Sequence, residues 1–332
     1  MREAPAGNGS RAETTLRVLT YHRVADPSPR PRLNPRLVST TPVEFARQMR
    51  HLAKNYRVVA MSEVLDAVDS GRPLPRRAVL ITFDDGYRDF QDVAWPILRE
   101  NGLPATLFVP TEFPDHPDRA FWWDRLFRAF TGTDRETLPE SALGVLPLRA
   151  PEDREASLRR MQDRVKELPH ERAMELVDEV CERLGEPKLP GRTVLGWEEL
   201  RRLDRQGVTI GAHTRWHPLL TRVSPERARD EVVGSQAVVQ REIGHALPVF
   251  SYPNGSHDEG VVAILRQEGF RLAVTQETGF NDVRVVDPLR VRRINITRRS
   301  TFPVFRLRLH AWAARLDRWR KRKSLARATS PR

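Results

Sequence analysis

Ala78-Val79-Leu80-Ile81-Thr82-Phe83-Asp84-Asp85-Gly86 is the stretch that decides the fold. Its first six residues carry no charge and read as a fully buried strand. Gly86 lets the chain turn sharply where that strand stops. Adjacent carboxylates at such a point repel each other, and a fold keeps them mainly where a cation or a proton separates their roles. On these residues alone, an Asp-Gly turn that merely ends a strand is an equal reading.

Similar short apolar runs recur on either side. Strands are expected at Leu16–Tyr21, Arg57–Ala60, Ala105–Val109, Val208–Ala212, Pro248–Tyr252, Arg271–Thr275 and Val291–Ile296. Helical patterns fall between most of them, over 42–54, 62–69, 90–101, 197–206, 225–243 and 257–268. The first of these helices is announced by Thr41-Pro42-Val43-Glu44, a capping box with proline at the first helical position. Strands alternating with amphipathic helices predict βα units, and seven or eight strands in this length favour a closed barrel over an open sheet.

The alternation breaks between residues 111 and 195, where charged helical sequence such as Arg154–Leu168 and Glu171–Leu184 predicts a helical insertion. Its front edge, Phe121-Trp122-Trp123-Asp124-Arg125-Leu126, reads either as a helix pinned to the barrel by its aromatics or as a stacking platform for sugar rings.

The chain has 332 residues, enough for a substantial core. No stretch approaches the ~18 apolar residues of a spanning helix. The single cysteine, Cys181, excludes an internal disulfide and fits a reducing compartment. Residues 1–15 are small, polar and charged, so they are expected to be disordered and show no secretory h-region. A cytoplasmic location follows as the default expectation, with the inner membrane surface as a variant. The net charge of +12 is concentrated at one end: residues 301–332 hold ten Lys/Arg and one acid, Asp317, and so account for +9 of it. That distribution argues against a nucleic-acid-binding body.

The chemistry resides in Asp84-Asp85 and in His213-Thr214-Arg215-Trp216-His217. If a helical turn follows the strand at 208–212, His213 and His217 share one face and can reach one metal ion. Two imidazoles with a carboxylate from another loop form a common catalytic zinc set that leaves open positions. In a parallel barrel both segments lie at the C-terminal face, where active sites assemble.

Thr82-Phe83-Asp84-Asp85-Gly86 and His213-Thr214-x-x-His217 resemble the first two motifs of the NodB-type polysaccharide deacetylases, carbohydrate esterase family 4. Phe250-Ser251-Tyr252-Pro253-Asn254-Gly255 is similar to that family's third motif, and the resemblance covers about residues 16–110 and 196–297. It implies an α/β fold, a distorted (β/α)7 barrel spanning 16–297, interrupted by the insertion at 111–195 and followed by a basic amphipathic tail at 298–332. It also implies a divalent metal, usually zinc, and removal of acetyl groups from acetylated sugars. Carried over by position, Asp85, His213 and His217 hold the metal and Asp84 is the general base. The backbone N–H of Tyr252, beside Pro253, faces the oxyanion.

Two positions depart from the pattern. Ser251 stands where the family has the arginine that orients the base, and Val291-Arg292-Arg293-Ile294-Asn295-Ile296 lacks the family's acid histidine. A branch resembling poly-N-acetylglucosamine deacetylases carries a Tyr-His element on its first strand, and Tyr21-His22 occupies that place. His22 is therefore the expected general acid, and Arg293 the expected replacement arginine, with Arg290 and Arg292 as competitors.

The expected substrate is an N-acetylated polysaccharide, such as an exopolysaccharide, or a lipid-linked glycan precursor. An O-acetyl esterase and a non-catalytic sugar-binding barrel remain alternatives. In the tail, Phe305, Leu309, Trp312, Leu316 and Trp319 form an apolar stripe amid arginines, ending in Arg320-Lys321-Arg322-Lys323. Residues 303–323 are thus expected either to pack on the barrel or to meet an anionic membrane.

Overall fold

The computed structural model describes residues 15–26, 33–187 and 191–310. Of the segment 1–15, expected to be disordered, Thr15 begins a strand and residues 1–14 lie outside the described ones. So do Trp312, Leu316, Trp319 and the basic run that follows.

Seven parallel strands close into a barrel: β1 Thr15–Tyr21, β2 Ala78–Phe83, β3 Thr106–Val109, β4 Thr209–Ala212, β5 Val249–Ser251, β6 Leu272–Thr278 and β7 Val291–Asn295. Closure occurs at β1, which pairs with β2 from Arg17↔Val79 to Tyr21↔Phe83 and with β7 at Leu19↔Ile294. The ring is uneven. β4 and β5 share the single pair Phe250↔Ala212, and the β6–β7 register shifts between Val274 and Thr278. Of the expected strand at 57–60 only Arg57–Val58 forms; it pairs with β2 outside the ring, which leaves seven strands.

Alternation along β2 explains how one strand serves two cores. Ala78 and Leu80 join Val18, Phe108, Val249, Leu272 and Val291 in a cluster drawn from strands around the ring, which must therefore meet inside it. Val79, Ile81 and Phe83 face outward onto Phe45, Met49, Leu98 and Leu200 of the surrounding helices. Helix α1 (Pro42–Asn55) starts at Thr41, whose hydroxyl accepts the Glu44 N–H at 3.4 Å. Helix α2 (Met61–Ser70) buries Met61, Val64 and Leu65 in the inner cluster and caps the N-terminal end of the barrel. After β2, one π-helical turn over Phe90–Ala94 leads into α3 (Trp95–Glu100).

The insertion has its own core. Helices α4 (Trp122–Gly132), α5 (Pro151–Glu167) and α6 (His170–Leu184) bury Leu126, Phe130, Leu158, Met161, Val177 and Cys181 together. It is not purely helical. Thr137–Ser141 and Gly144–Pro147 form an antiparallel hairpin that turns at Gly144 and feeds Leu138 and Leu146 into that core. Burial pushes the Cys181 thiol up to about 12, so it behaves as an apolar side chain.

Helices α7 (Trp197–Arg205), α8 (Pro225–Ile243) and α9 (Glu259–Gln267) complete the outer layer. The last described helix, α10 (Phe302–Arg308), buries Phe305 and, just after it, Leu309 in the outer core. Arg308 Nη1 donates to the Asn295 carbonyl at 2.7 Å, tying α10 to the end of β7. The described part of the basic tail therefore packs on the barrel. No helix among the described residues is long and apolar enough to cross a membrane.

Candidate active site

The strand ends bring Asp84, Asp85, His213 and His217 to one cleft of about 650 Å³, also lined by His22, Asn254, Asn295, Trp122 and Trp123. A larger groove of about 890 Å³ between α8 and α9 contains no histidine, so chemistry rather than size selects the site.

Asp85 Oδ1 lies 3.6 Å from His213 Nε2 and 3.4 Å from His217 Nε2. These three ligand atoms fall within 4.8 Å of one another. His213 Nδ1 sits 2.6 Å from the Ser251 carbonyl, an acceptor only, so Nδ1 must carry the proton. In the neutral ring, Nε2 then presents a lone pair to the Asp85 carboxylate. Burial, with His213 adding to it, lowers His217 to about 3, which keeps that ring neutral. Two imidazole nitrogens converging on a carboxylate oxygen form a donor set that could hold a divalent cation.

The expected helical turn at 213–217 does not form. Instead Thr214 and His217 adopt left-handed φ values of 67° and 60°, and Asp85 does the same at 75°. Such conformations cost of order 1–3 kcal/mol each and persist only when their surroundings over-determine them. Here the Thr214 hydroxyl accepts the His217 N–H at 3.0 Å. Buried Glu231 of α8 accepts the N–H groups of Arg215 at 2.7 Å and Trp216 at 2.9 Å through one oxygen. Its other oxygen pairs with Arg227 at 2.8 Å. Glu231 was not anticipated, because an acid on an amphipathic helix reads as a solvated face.

Asp84 is gripped from the opposite wall. Arg293 donates from Nη1 to Oδ1 at 2.9 Å and from Nη2 to Oδ2 at 2.7 Å, with 0% and 1% of the two side chains exposed. Ser251 Oγ adds a bond of 3.3 Å to Oδ2. Burial pushes the Asp84 carboxyl up, but Arg293 and His213 outweigh it and hold it well below the usual carboxylate range. Asp85 is likewise lowered, its histidine neighbours prevailing over burial. Arg290 and Arg292, the competing arginines, pair elsewhere, with Glu259 and Glu277.

His22 follows β1, its N–H donating to Ser39 Oγ at 2.9 Å and its ring lining the cleft. Tyr252 departs from expectation. Its N–H donates to the Val274 carbonyl at 3.2 Å, and its buried hydroxyl to Leu289 O at 3.0 Å, so the barrel consumes the amide expected to face an oxyanion. Pro253 is buried beside it. The next residue but one from Tyr252, Asn254, is exposed, lines the cleft at φ 53° and has an amide without a hydrogen-bond partner among the described residues. Gly255 makes that turn possible: at φ 70°, any Cβ there would lie 2.5 Å from the Gln276 nitrogen.

The aromatic front edge of the insertion resolves into two roles. Both tryptophans line the cleft, and Trp123 also packs edge-on against His217 with centroids 4.7 Å apart. Trp123 Nε1 donates to Tyr87 Oη at 2.8 Å, and Tyr87 donates in turn to buried Asp124 at 2.9 Å.

With this geometry in view, known proteins supply the context. A sequence model of the polysaccharide deacetylase family matches residues 71–273, more than half of the chain. The poly-β-1,6-N-acetyl-D-glucosamine N-deacetylase of Escherichia coli K12 is 33% identical over 100 residues, 30% of this chain. Those residues span only 14% of the relative, well under two thirds of its length. Among solved structures, Streptococcus pyogenes deacetylase PplD in complex with acetate superposes with a TM-score of 0.62 at 18% identity, over 89% of this chain and 98% of that one. IcaB from Ammonifex degensii gives 0.57 at 21% identity, over 90% and 97%. These two likenesses share the barrel, and the family model adds the sequence signature: the chain belongs to the polysaccharide deacetylase family.

Proposed function

We propose that the protein is a metal-dependent hydrolase that removes acetyl groups from N-acetylated sugars of a polysaccharide or a lipid-linked glycan precursor. The observation that carries this reading is an ionised Asp84, locked by Arg293, beside the converging donors of Asp85, His213 and His217. A divalent cation held by those three residues, zinc by preference of the donor set, would supply a polarised water and a Lewis acid for the acetyl carbonyl. Asp84 is placed to accept the water's proton, with Arg293 fixing both of its oxygens. The Asn254 N–H, at the edge of the same cleft, would donate to the developing oxyanion. His22, across the cleft, gives the proton that an amine leaving group requires, a step typically worth about 10²–10⁴ in rate. The activity that names the Escherichia coli relative supports an N-acetylglucosamine polymer as substrate.

Acetate release from N-acetylglucosamine oligomers, measured alongside metal content, tests the reading. Asp84→Asn should retain metal and lose activity; wild-type turnover in that variant would overturn the mechanism. His22→Ala should lose rate without losing metal. Release from acetylated xylan alone would assign an O-acetyl esterase, and bound metal without turnover on either glycan a sugar-binding barrel.

We further propose that the cytoplasmic face of an anionic membrane is where a lipid-linked substrate would be met, through residues beyond 310, since Phe305 and Leu309 are spent on the barrel. Flotation with anionic liposomes should be lost in a chain ending at 310; unchanged binding would overturn the idea.

A further inference from the structure

The insertion does more than pack against His217. Arg159, Gln162, Asp163 and Lys166 of α5 recur at +3, +4 and +7, so they share one helical face, and all four line the catalytic cleft. The adjoining helix face, with Leu158, Met161 and Val165, is the one buried in the insertion core. The turn just before the short strand Val38–Thr40 brings Arg36 to the same cleft, its own N–H donating to Asn34 Oδ1 at 3.0 Å.

The charges above the catalytic floor do not balance. Arg36, Arg159 and Lys166 face one acid, Asp163. On the floor, Asp84 is neutralised by Arg293 and Asp85 is the metal's ligand. Neither Arg36 nor Lys166 has an ion-pair partner among the described residues, and Arg159 has only exposed Glu155 at 3.8 Å. Burial pulls the Lys166 ammonium below its usual range; Asp163 opposes this and Arg36 adds to it. Arg36 and Lys166, neither in an ion-pair contact among the described residues, thus share one opening with a single acid, an arrangement an oxyanion would relieve.

We propose that Arg36 and Lys166, with Arg159, form an anion subsite, so that the preferred substrate is an acetamido glycan carrying a phosphate or a carboxylate. This rests on the deacetylase reading for the acetamide and on the cleft's own charges for the anion. A glycan phosphate and a uronic acid share that chemistry, and the neutral N-acetylglucosamine polymer becomes the poorer ligand.

Calorimetry with whole protein separates the two claims. The probes are N,N′-diacetylchitobiose, its 1-phosphate and a hyaluronan tetrasaccharide, each titrated with and without added zinc. The 1-phosphate should bind about tenfold more tightly than the neutral disaccharide, as one charge-assisted contact predicts, and the gap should narrow at high salt. In the double variant Arg36→Gln, Lys166→Gln the ratio should fall to near one. Equal affinities in the wild type, or a preference the double variant keeps in full, would overturn the subsite. So would a preference seen only with zinc, since the phosphate would then be a metal ligand. A gain shared by the tetrasaccharide supports a general oxyanion site; a gain confined to the 1-phosphate supports a phosphate site. Absence of acetate release from every probe would sink the deacetylase reading and leave this binding result standing.

Discussion

Replacing Arg293 by methionine tests how the base is held. Both partners are buried, and the guanidinium makes two of the three side-chain hydrogen bonds to Asp84. Methionine fills much of the volume but strands a carboxylate whose remaining donor is Ser251 Oγ at 3.3 Å. Breaking a buried pair in this way costs about 3–5 kcal/mol, because the surviving charge is left uncompensated. The sign depends on pH. In the wild type the folded-state pKa of Asp84 is depressed, so its contribution is present above the unfolded value of about 3.9 and fades as pH falls below that. In the variant only burial and weaker neighbours act, the folded value rises above the unfolded one, and the penalty is largest at neutral pH and shrinks on acidification. Adding Asp84→Asn should recover about 1–4 kcal/mol of the loss, since position 84 then buries no uncompensated charge. Urea unfolding of metal-free protein at pH 7 and pH 5 reads all of this. A single variant within about 1 kcal/mol of wild type, or a double variant no more stable than the single, would refute the reasoning.

Glu231→Ala leaves two backbone N–H groups without their acceptor, so stability should fall by about 2 kcal/mol. Its zinc affinity, measured by competition with a chromophoric chelator, should drop about 10–100-fold as the His217 loop loosens. His217 has a folded pKa of about 3 against about 6.5 unfolded, so the unfolded chain binds the extra proton between those values and stability falls as pH falls. Between pH 6.5 and pH 5 that amounts to about 2 kcal/mol in chelator-treated protein, and His217→Gln should lose correspondingly less in denaturant titrations. Gly255→Ala should destabilise by about 1–3 kcal/mol, read by thermal unfolding, and lower turnover by misplacing Asn254; unchanged turnover would argue against the Asn254 amide as a donor.

What the residues disclosed in advance depended on how local the signal was. β2 was legible because six uncharged residues ending in Asp-Asp-Gly leave few alternatives, whereas Arg293 stayed one of three candidate arginines until alternation on the last strand turned Arg292 out to Glu277 and Arg293 in to Asp84. The His213/His217 spacing pointed to two rings that do converge, but by another route: left-handed turns, not a helix, bring them together, and β-branched Thr214 gives no hint of such a conformation. The hairpin at 137–147 escaped notice because it buries few apolar side chains along two short, polar strands. Asn254 and Glu231 were hidden for a deeper reason. One is proposed to act through a backbone amide and the other is buried against a loop, and neither property is written in residue type.

Tyr87, directly after the Asp-Asp-Gly turn, joins α4 to the barrel through Trp123 and Asp124, and the far end of the insertion returns there as Leu195 N–H donates to the Gly86 carbonyl at 2.9 Å. Both ends of the extra segment are therefore stitched to the turn that presents Asp84 and Asp85. Evolution could vary the tip of the insertion, its hairpin and outer helices, while the seam stays under the constraint of the chemistry. A shortened barrel engineered by excising residues 111–195 would uncover one side of His217 and free the catalytic turn. The smallest working unit of this protein is accordingly larger than its barrel.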